Sequence, residues 1–225
     1  MPPFQEIIVP KQRLADQAYQ QILNAIHDGT IAPSERIVQE KLAEVFRISR
    51  TPVREALLRL EQEGILVTAD RGGFLIREAS KDEIRDIYQT RQAIEGYAAA
   101  LLTERADKSA FDSVKKTIQV QEGRDHSAAH EYYDANRLIH RSFVAATGNR
   151  YLLEMFDLMW NRGFSFHVFR SMTNDNLKRS LQGHMALYEA MRGGNSEQAM
   201  AAMRNHISDG LELQLSSLRE TPHGS

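Results

Sequence analysis

The chain of 225 residues has no cysteine. That excludes disulfides, cysteine-ligated zinc fingers and thiol catalysis, and it suits a reducing cytoplasm. Long apolar runs are also lacking. Nothing approaches the ~18–20 residues of a membrane span, and the N-terminal MPPFQEIIVPKQR has neither the apolar core nor the small-residue cleavage site of a signal peptide. A soluble cytoplasmic protein with no membrane partner is expected. No charge sign dominates. A net charge of −2 argues against a wholly basic coat for nucleic acid, although a local patch can still bind DNA. HExxH, a serine nucleophile elbow, a Walker A loop and GxGxxG are all missing, so the expectation is that the chain is not an enzyme.

What is present is an ordinary globular composition, 42% hydrophobic and 26% charged, enough for one large domain or two small ones. Residues 11–28 read as a helix, with Leu14, Ala18, Ile22 and Ile26 every four residues and Gly29 as a stop. A short helix over about 38–46 turns Leu42, Ala43 and Phe46 inward, and Arg47-Ile48 makes a tight connection. A third helix begins at SRTPVREALLRLEQEG, with Ser49 as N-cap, Pro52 in its first turn, and Val53, Ala56, Leu57 and Leu60 as a buried stripe. After Gly64 the period changes. ILVTAD and FLIREA read as two strands joined through Arg71-Gly72-Gly73.

Ser80-Lys81-Asp82-Glu83 is a Ser-x-x-Glu capping box that opens a new helix, so a domain boundary is expected at 78–80. Everything beyond reads as a bundle of six helices, about 81–105, 108–122, 127–146, 150–172, 175–192 and 196–219. The fold class is therefore mainly α: a winged helix-turn-helix domain over 8–78 and an all-α bundle over 80–220.

Helix, helix, helix and hairpin is the order of a winged helix-turn-helix, whose third helix carries the reading face. Arg50 and Arg54 share the side of that helix opposite Leu57 and Leu60. An arginine fork matches the two acceptors of guanine, and a good bidentate pair is worth about 1–3 kcal/mol of discrimination. Ser49 and Thr51 are placed to hold phosphates, and Arg71, Gly72 and Gly73 to meet the backbone or minor groove from the wing tip. Two exposed arginines by themselves are more often a solvated surface pair.

"SRTPVREALLRLEQEGIL" followed by "DRGGFLI", with "DGTIAPSERIVQEKLAEVF" upstream, closely resembles the DNA-binding domain of GntR-family transcription regulators. The resemblance implies a homodimer that reads a short inverted repeat in double-stranded DNA, with Arg50 and Arg54 as base readers. One position departs from the family pattern. Many members carry an arginine two residues before the leucine matching Leu42, where this chain has Glu40, which cannot neutralise a phosphate.

Of eight histidines, His27, His126, His130 and His223 look incidental, and His167 reads as a packed ring. His140, His184 and His206 fall inside helical patterns, and Asn136 precedes His140 by four residues, which puts both on one helical face. Bundles build metal sites from inward side chains on facing helices. Three unrelated histidines, each hydrogen-bonded in its own surroundings, fit the spacing as well.

"DIYQTRQAIEGYAAALL", "RLIHRSFVAATGN" and "GHMALYEAMRGGNSEQAMAAMRNHI" are similar, in that order, to the FCD effector domain of the FadR-type branch of the family. The six-helix count fits its VanR-like subgroup. The resemblance implies a divalent transition metal held by Asn136, His140, His184 and His206. Zinc and nickel are the first choices, although nitrogen-rich sites also suit copper or iron. Asp134 is turned about 200° round the helix from Asn136 and is not chosen. Neutral ligands leave the ion's charge uncompensated, so a small carboxylate metabolite is expected to complete the shell. Arg91 matches a family arginine that anchors it, the alternative being an Arg91–Glu95 pair on a solvated helix. Asn149 is expected at a helix end rather than against a ligand. The expected function is a ligand-responsive regulator, a repressor by preference. The alternatives are a DNA-binding dimer whose bundle is purely structural, or a metal-dependent enzyme fused to a DNA-binding domain.

Overall fold

A computed structural model of the chain describes residues 12–220, apart from 33, 79, 106 and 161–171. Packing divides the chain into two units, Met1–Glu78 and Ala79–Ser225.

In the first unit, α1 (Gln12–His27), α2 (Gln39–Phe46) and α3 (Arg50–Gln62) precede β1 (Leu66–Thr68) and β2 (Phe74–Ile76). The core joins Ala18, Ile22 and Ile26 of α1 to Ala43 of α2 and to Val53, Ala56, Leu57 and Leu60 of α3. Leu14, assigned to the α1 stripe from its spacing, is 41% exposed and stands outside the core cluster of this unit. The strands pair antiparallel with Leu66 opposite Ile76 and Thr68 opposite Phe74, three residues each and shorter than the β-prone runs. Ile37 adds a bridge to Phe74, with both backbone bonds at 2.8 Å.

That bridge explains one glycine of the wing. Gly73 has φ +74°, and a Cβ there would lie 2.7 Å from the Ile37 carbonyl oxygen. A side chain is excluded by backbone approach alone. Between α2 and α3, Arg47 takes the left-handed conformation (φ 54°, ψ 42°), and the amides of Arg47 and Ile48 donate to Glu44 and Ala43. Ser49 occupies the N-cap position of α3, but its side chain makes no capping bond.

In the second unit, α4 (Lys81–Arg105), α5 (Lys108–Glu122), α6 (Ala129–Ala146) and α7 (Arg150–Trp160) are followed by α8 (Asn174–Ser180), α9 (His184–Arg192) and α10 (Ser196–Glu220). The capping box is formed: Glu83 N donates to Ser80 Oγ at 3.1 Å and Ser80 N to Glu83 Oε2 at 3.2 Å. Asp107 caps α5, accepting from Ser109 N at 2.8 Å. Asn149 accepts from the amides of Tyr151 and Leu152, so it caps the start of α7.

The single helix expected over 175–192 is two. The chain breaks at Leu181-Gln182-Gly183, where Gly183 has φ +90°, and α9 starts afresh at His184. The expected 150–172 helix is described only to Trp160. Its remainder, His167 and His223 lie outside the described residues. The two 25-residue helices α4 and α10 pack along each other. Gly96 permits their close approach: a Cβ there would meet Arg204 Cγ at 3.1 Å.

Candidate metal centre and nucleic-acid interface

Ile84, Tyr88, Arg91, Glu95, Ala98 and Leu102 are all buried in α4 and recur at alternating steps of four and three. This is the spacing of an inward seam. Two of the six are charged. Arg91 is 5% exposed and Glu95 0%. They form the i, i+4 pair, Nε to Oε1 at 2.8 Å, and it is buried rather than solvated. The Arg91 guanidinium also stacks on Tyr88 and Trp160, 4.8 and 4.5 Å from the ring centroids.

Glu95 is the residue that sequence reasoning missed. Its other oxygen lies 2.5 Å from His140 Nδ1. Burial alone would raise this carboxyl, but Arg91 and His140 outweigh it and hold it at about 2. Burial pushes the His140 imidazole down to about 4, against the pull of Glu95. Both groups therefore stand as a carboxylate and a neutral ring at neutral pH, with the ring donating its Nδ1 proton.

The histidines of three helices come together. The ring centroids of His140, His184 and His206 are 5.2, 5.3 and 4.7 Å apart, and their candidate ligand atoms lie within 4.8 Å of one another. His184 Nδ1 is 3.0 Å from Glu122 Oε1, a second carboxylate that no local pattern singled out. His184 Nε2 is buried and has no hydrogen-bond partner among the described residues. Burial, with His140 and His184 beside it, pushes His206 down to about 2.

Carboxylates on Nδ1 fix the tautomer and turn Nε2 into a free lone pair, the usual outer arrangement of a metal-ligating histidine. Two nitrogens on one tetrahedral ion stand about 3.4 Å apart, so small ring rotations suffice to close the set. An orphaned buried nitrogen, neutral rings and two tautomer-fixing carboxylates fit a divalent ion.

Asn136 lies one turn before His140, 4% exposed, and lines the same cavity. Its Nδ2 donates to Tyr132 O at 2.9 Å and Ser180 Oγ at 3.3 Å, bonds that leave Oδ1 unused. Asp134 is exposed. The cavity measures about 540 Å³ and is lined by Arg91, Asn136, His140 and His206 among others, with Arg179, Asp209 and Glu212 as exposed members of the lining. Gly183 allows α9 to begin beside His206. Its φ of +90° strains any residue with a Cβ, while the space itself is open enough, the nearest His206 atom being 3.6 Å away.

In the first unit, Ser49, Arg50, Thr51 and Arg54 are exposed at the start of α3, and Arg71 and Gly72 at the wing tip, while Gly73 is half-buried. Arg50 is not free: its Nη1 lies 3.5 Å from Glu40 Oε1, both side chains being solvated. The acidic departure at residue 40 thus faces a residue expected to read bases. Arg54 has no ion-pair partner among the described residues. Arg59 is committed elsewhere. It stacks 4.0 Å over Tyr19 and pairs with Glu63 and Asp16. The Arg36 guanidinium donates to the Arg71 carbonyl and so ties the wing tip down.

Comparison with known proteins places both units. Residues 14–76 match the family described as bacterial regulatory proteins, gntR family, and residues 86–209, over half of the chain, match the FCD domain. The HTH-type transcriptional regulator YdhC of Bacillus subtilis is 29% identical over 199 residues, 87% of this chain and 88% of the relative. The HTH-type transcriptional repressor GlaR of Escherichia coli is 25% identical over 84% of this chain and 90% of its own length. The structure of E. coli McbR/YncC superposes with a TM-score of 0.70 at 23% identity, covering 94% of this chain and all of the other, which shows a shared fold. No described helix is long and apolar enough to cross a membrane. The chain belongs to the GntR family of bacterial regulatory proteins and is a DNA-binding transcription regulator rather than an enzyme, with an FCD domain as its second unit.

Proposed function

We propose that this regulator is a cytoplasmic homodimeric repressor whose grip on a short inverted repeat is set by a small carboxylate bound at a divalent metal in the bundle. The observation that carries this reading is the trio His140, His184 and His206, with Nδ1 of two rings tied to Glu95 and Glu122 and a buried, unpartnered Nε2 on His184. His140, His184, His206 and the Asn136 amide oxygen would hold the ion, zinc or nickel first. Bound there, the metal supplies positive charge and open coordination positions for an anionic oxygen.

The charges of the chain itself are arranged around that need. Arg91 is balanced by Glu95, and the lining carries Arg179 together with Asp209 and Glu212. Without the ion the cavity has no excess of positive charge, so carboxylate binding should require metal. Arg91 then anchors the far oxygen of the carboxylate. In the first unit, domain 8–78, Arg50 and Arg54 read base edges, Ser49 and Thr51 hold phosphates, and Arg71, Gly72 and Gly73 approach the backbone. The bundle over 80–220 carries effector and dimer contacts. An effector alters DNA binding only insofar as it prefers one of two spacings of the reading heads.

The reading is tested by metal analysis of protein purified without chelators, with a thermal-shift screen of small carboxylates with and without metal. About one ion per chain, lost in His184→Ala without loss of fold, is expected, with stabilisation by carboxylates only when metal is present. Equal metal content in wild type and His184→Ala would overturn the assignment. One feature favours a purely structural bundle instead: the Arg91–Glu95–His140 ladder is satisfied without an ion. His184 Nε2, which that ladder leaves unpaired, argues against it.

A further inference from the structure

The cavity beside the histidines continues past them along α10, and its lining carries polar atoms that the proposed carboxylate does not use. Gln214 is 1% exposed, lines the cavity, and has neither its Nε2 nor its Oε1 hydrogen-bonded among the described residues. Trp160, the only tryptophan, is 2% exposed and lines the same cavity at its histidine end, its ring 4.5 Å from the Arg91 guanidinium and 6.1 Å from the His140 ring, and its Nε1 has no hydrogen-bond partner among the described residues. A buried amide with both ends unpaired is costly and rare in a folded protein. Gln214 also stands at a core position of α10, where Ala199, Met203, Ile207 and Ser217 are buried on the same seam. An apolar residue would have closed the seam.

Gly210 completes the arrangement. His206, Gly210 and Gln214 follow one another at steps of four along α10 and line one cavity. A glycine in the middle of a helix weakens it. Nothing in the packing demands this one: a Cβ at residue 210 would rest 3.5 Å from Tyr88 Cε1, an ordinary contact, and its backbone is not left-handed. What the missing side chain provides is open space between His206 and Gln214, about 12 Å apart by helix rise.

We infer that the effector is an elongated hydroxylated carboxylic acid, its carboxylate at the histidine end and a hydroxyl at Gln214. This rests on the metal-centred reading above and extends it to substrate class. The chemistry selects the hydroxyl. Gln214 offers a donor and an acceptor. A hydroxyl gives its proton to Gln214 Oε1 or accepts one from Gln214 Nε2. A second carboxylate would leave Oε1 unpaired, and an alkyl end would leave both atoms so. A site built with buried polar groups rejects the analogue that cannot pair with them.

The test uses the full chain loaded with zinc. Calorimetric titration compares unsubstituted acids of four to eight carbons with their ω-hydroxy counterparts and with the dicarboxylates of the same length. The wild type is expected to bind the best ω-hydroxy acid about tenfold or more tightly than the other two classes, the effect of roughly one well-made hydrogen bond to a buried group. Gln214→Leu, which removes the unpaired atoms at similar volume, is expected to erase that preference while zinc content stays unchanged. Gln214→Met, which removes the same two atoms with an unbranched side chain, is expected to do likewise, and it serves as the second variant if Gln214→Leu fails to fold. Carboxylates bound with no preference for the hydroxyl, or a preference that survives in both variants, overturns this inference and leaves the metal-centred reading intact. No binding of any acid to zinc-loaded protein overturns both.

Discussion

The two units place their charged residues in opposite ways. In the first, Arg50 and Arg54 project from the outside of α3 while Val53, Ala56, Leu57 and Leu60 fill its inside, so packing and recognition occupy separate faces. In the second, Arg91, Glu95, Asn136, His140, His184 and Gln214 sit where a bundle would ordinarily put leucine. A surface charge can be altered at little cost to the fold, because water replaces whatever partner it loses. A core charge holds its neighbours' charges in place, so function and stability become one property.

The sharpest way to break that contrast is Glu95→Ala, which leaves Arg91 and His140 buried without their shared carboxylate. A loss of about 3–5 kcal/mol of bundle stability is expected in urea unfolding, with a smaller loss in Glu95→Gln, whose amide oxygen can still accept one bond. A change below 1 kcal/mol would mean that solvent reaches this core.

Acid should discriminate in the same direction. In metal-free protein the folded pKa of His140 falls from 6.5 to about 4, of His206 from 6.5 to about 2, and of Glu95 from 4.5 to about 2. All three are depressed, so the folded state binds fewer protons and stability rises with pH. The imidazole contribution is complete above 6.5 and is lost as pH falls through 4 towards 2. That of Glu95 is complete above 4.5 and is lost towards 2. The thermal midpoint of chelated protein should therefore drop steadily below pH 6.5, and a flat profile from pH 7 to 4 would contradict buried neutral rings.

Arg54→Ala tests the other side of the comparison. Unfolding should be unchanged within about 0.5 kcal/mol, while operator binding weakens by about 1–3 kcal/mol with relaxed preference at one base pair. Equal loss on every sequence would make Arg54 a phosphate contact instead. The smallest effect belongs to Glu40→Gln, which releases Arg50 from an exposed pair worth at most about 1 kcal/mol. Its operator affinity should rise slightly, more so at low salt, and an unchanged salt dependence would show that Glu40 does not restrain Arg50.

Much of the fold is legible along the chain because the signals are local. The Ser80/Glu83 box is formed as its spacing requires, and Gly29 and Gly64 fall at helix ends. Where expectation failed, a neighbour decided. Leu14 kept its period but lost its cover, Ser49 kept its place but not its bond, and the helix over 175–192 broke at Gly183. Asn136 and His140 were readable as a pair because a helix puts four residues on one face. Glu95 stood in view at a four-three core spacing, but without burial it reads as one more surface acid. Glu122 is 62 positions from the histidine it meets and left no local trace.

Local pattern, then, was enough for the order of elements, the face of α3 that turns outward, and the family to which the chain belongs, because each depends on residues within a turn or two of one another. Only packing could settle which of eight histidines meet, which carboxylates fix their tautomers, and that a glutamine on the last helix faces a cavity with nothing to pair it. Those facts depend on distances between helices far apart in the chain, and on the exclusion of water that turns an ordinary polar side chain into one that must find a partner.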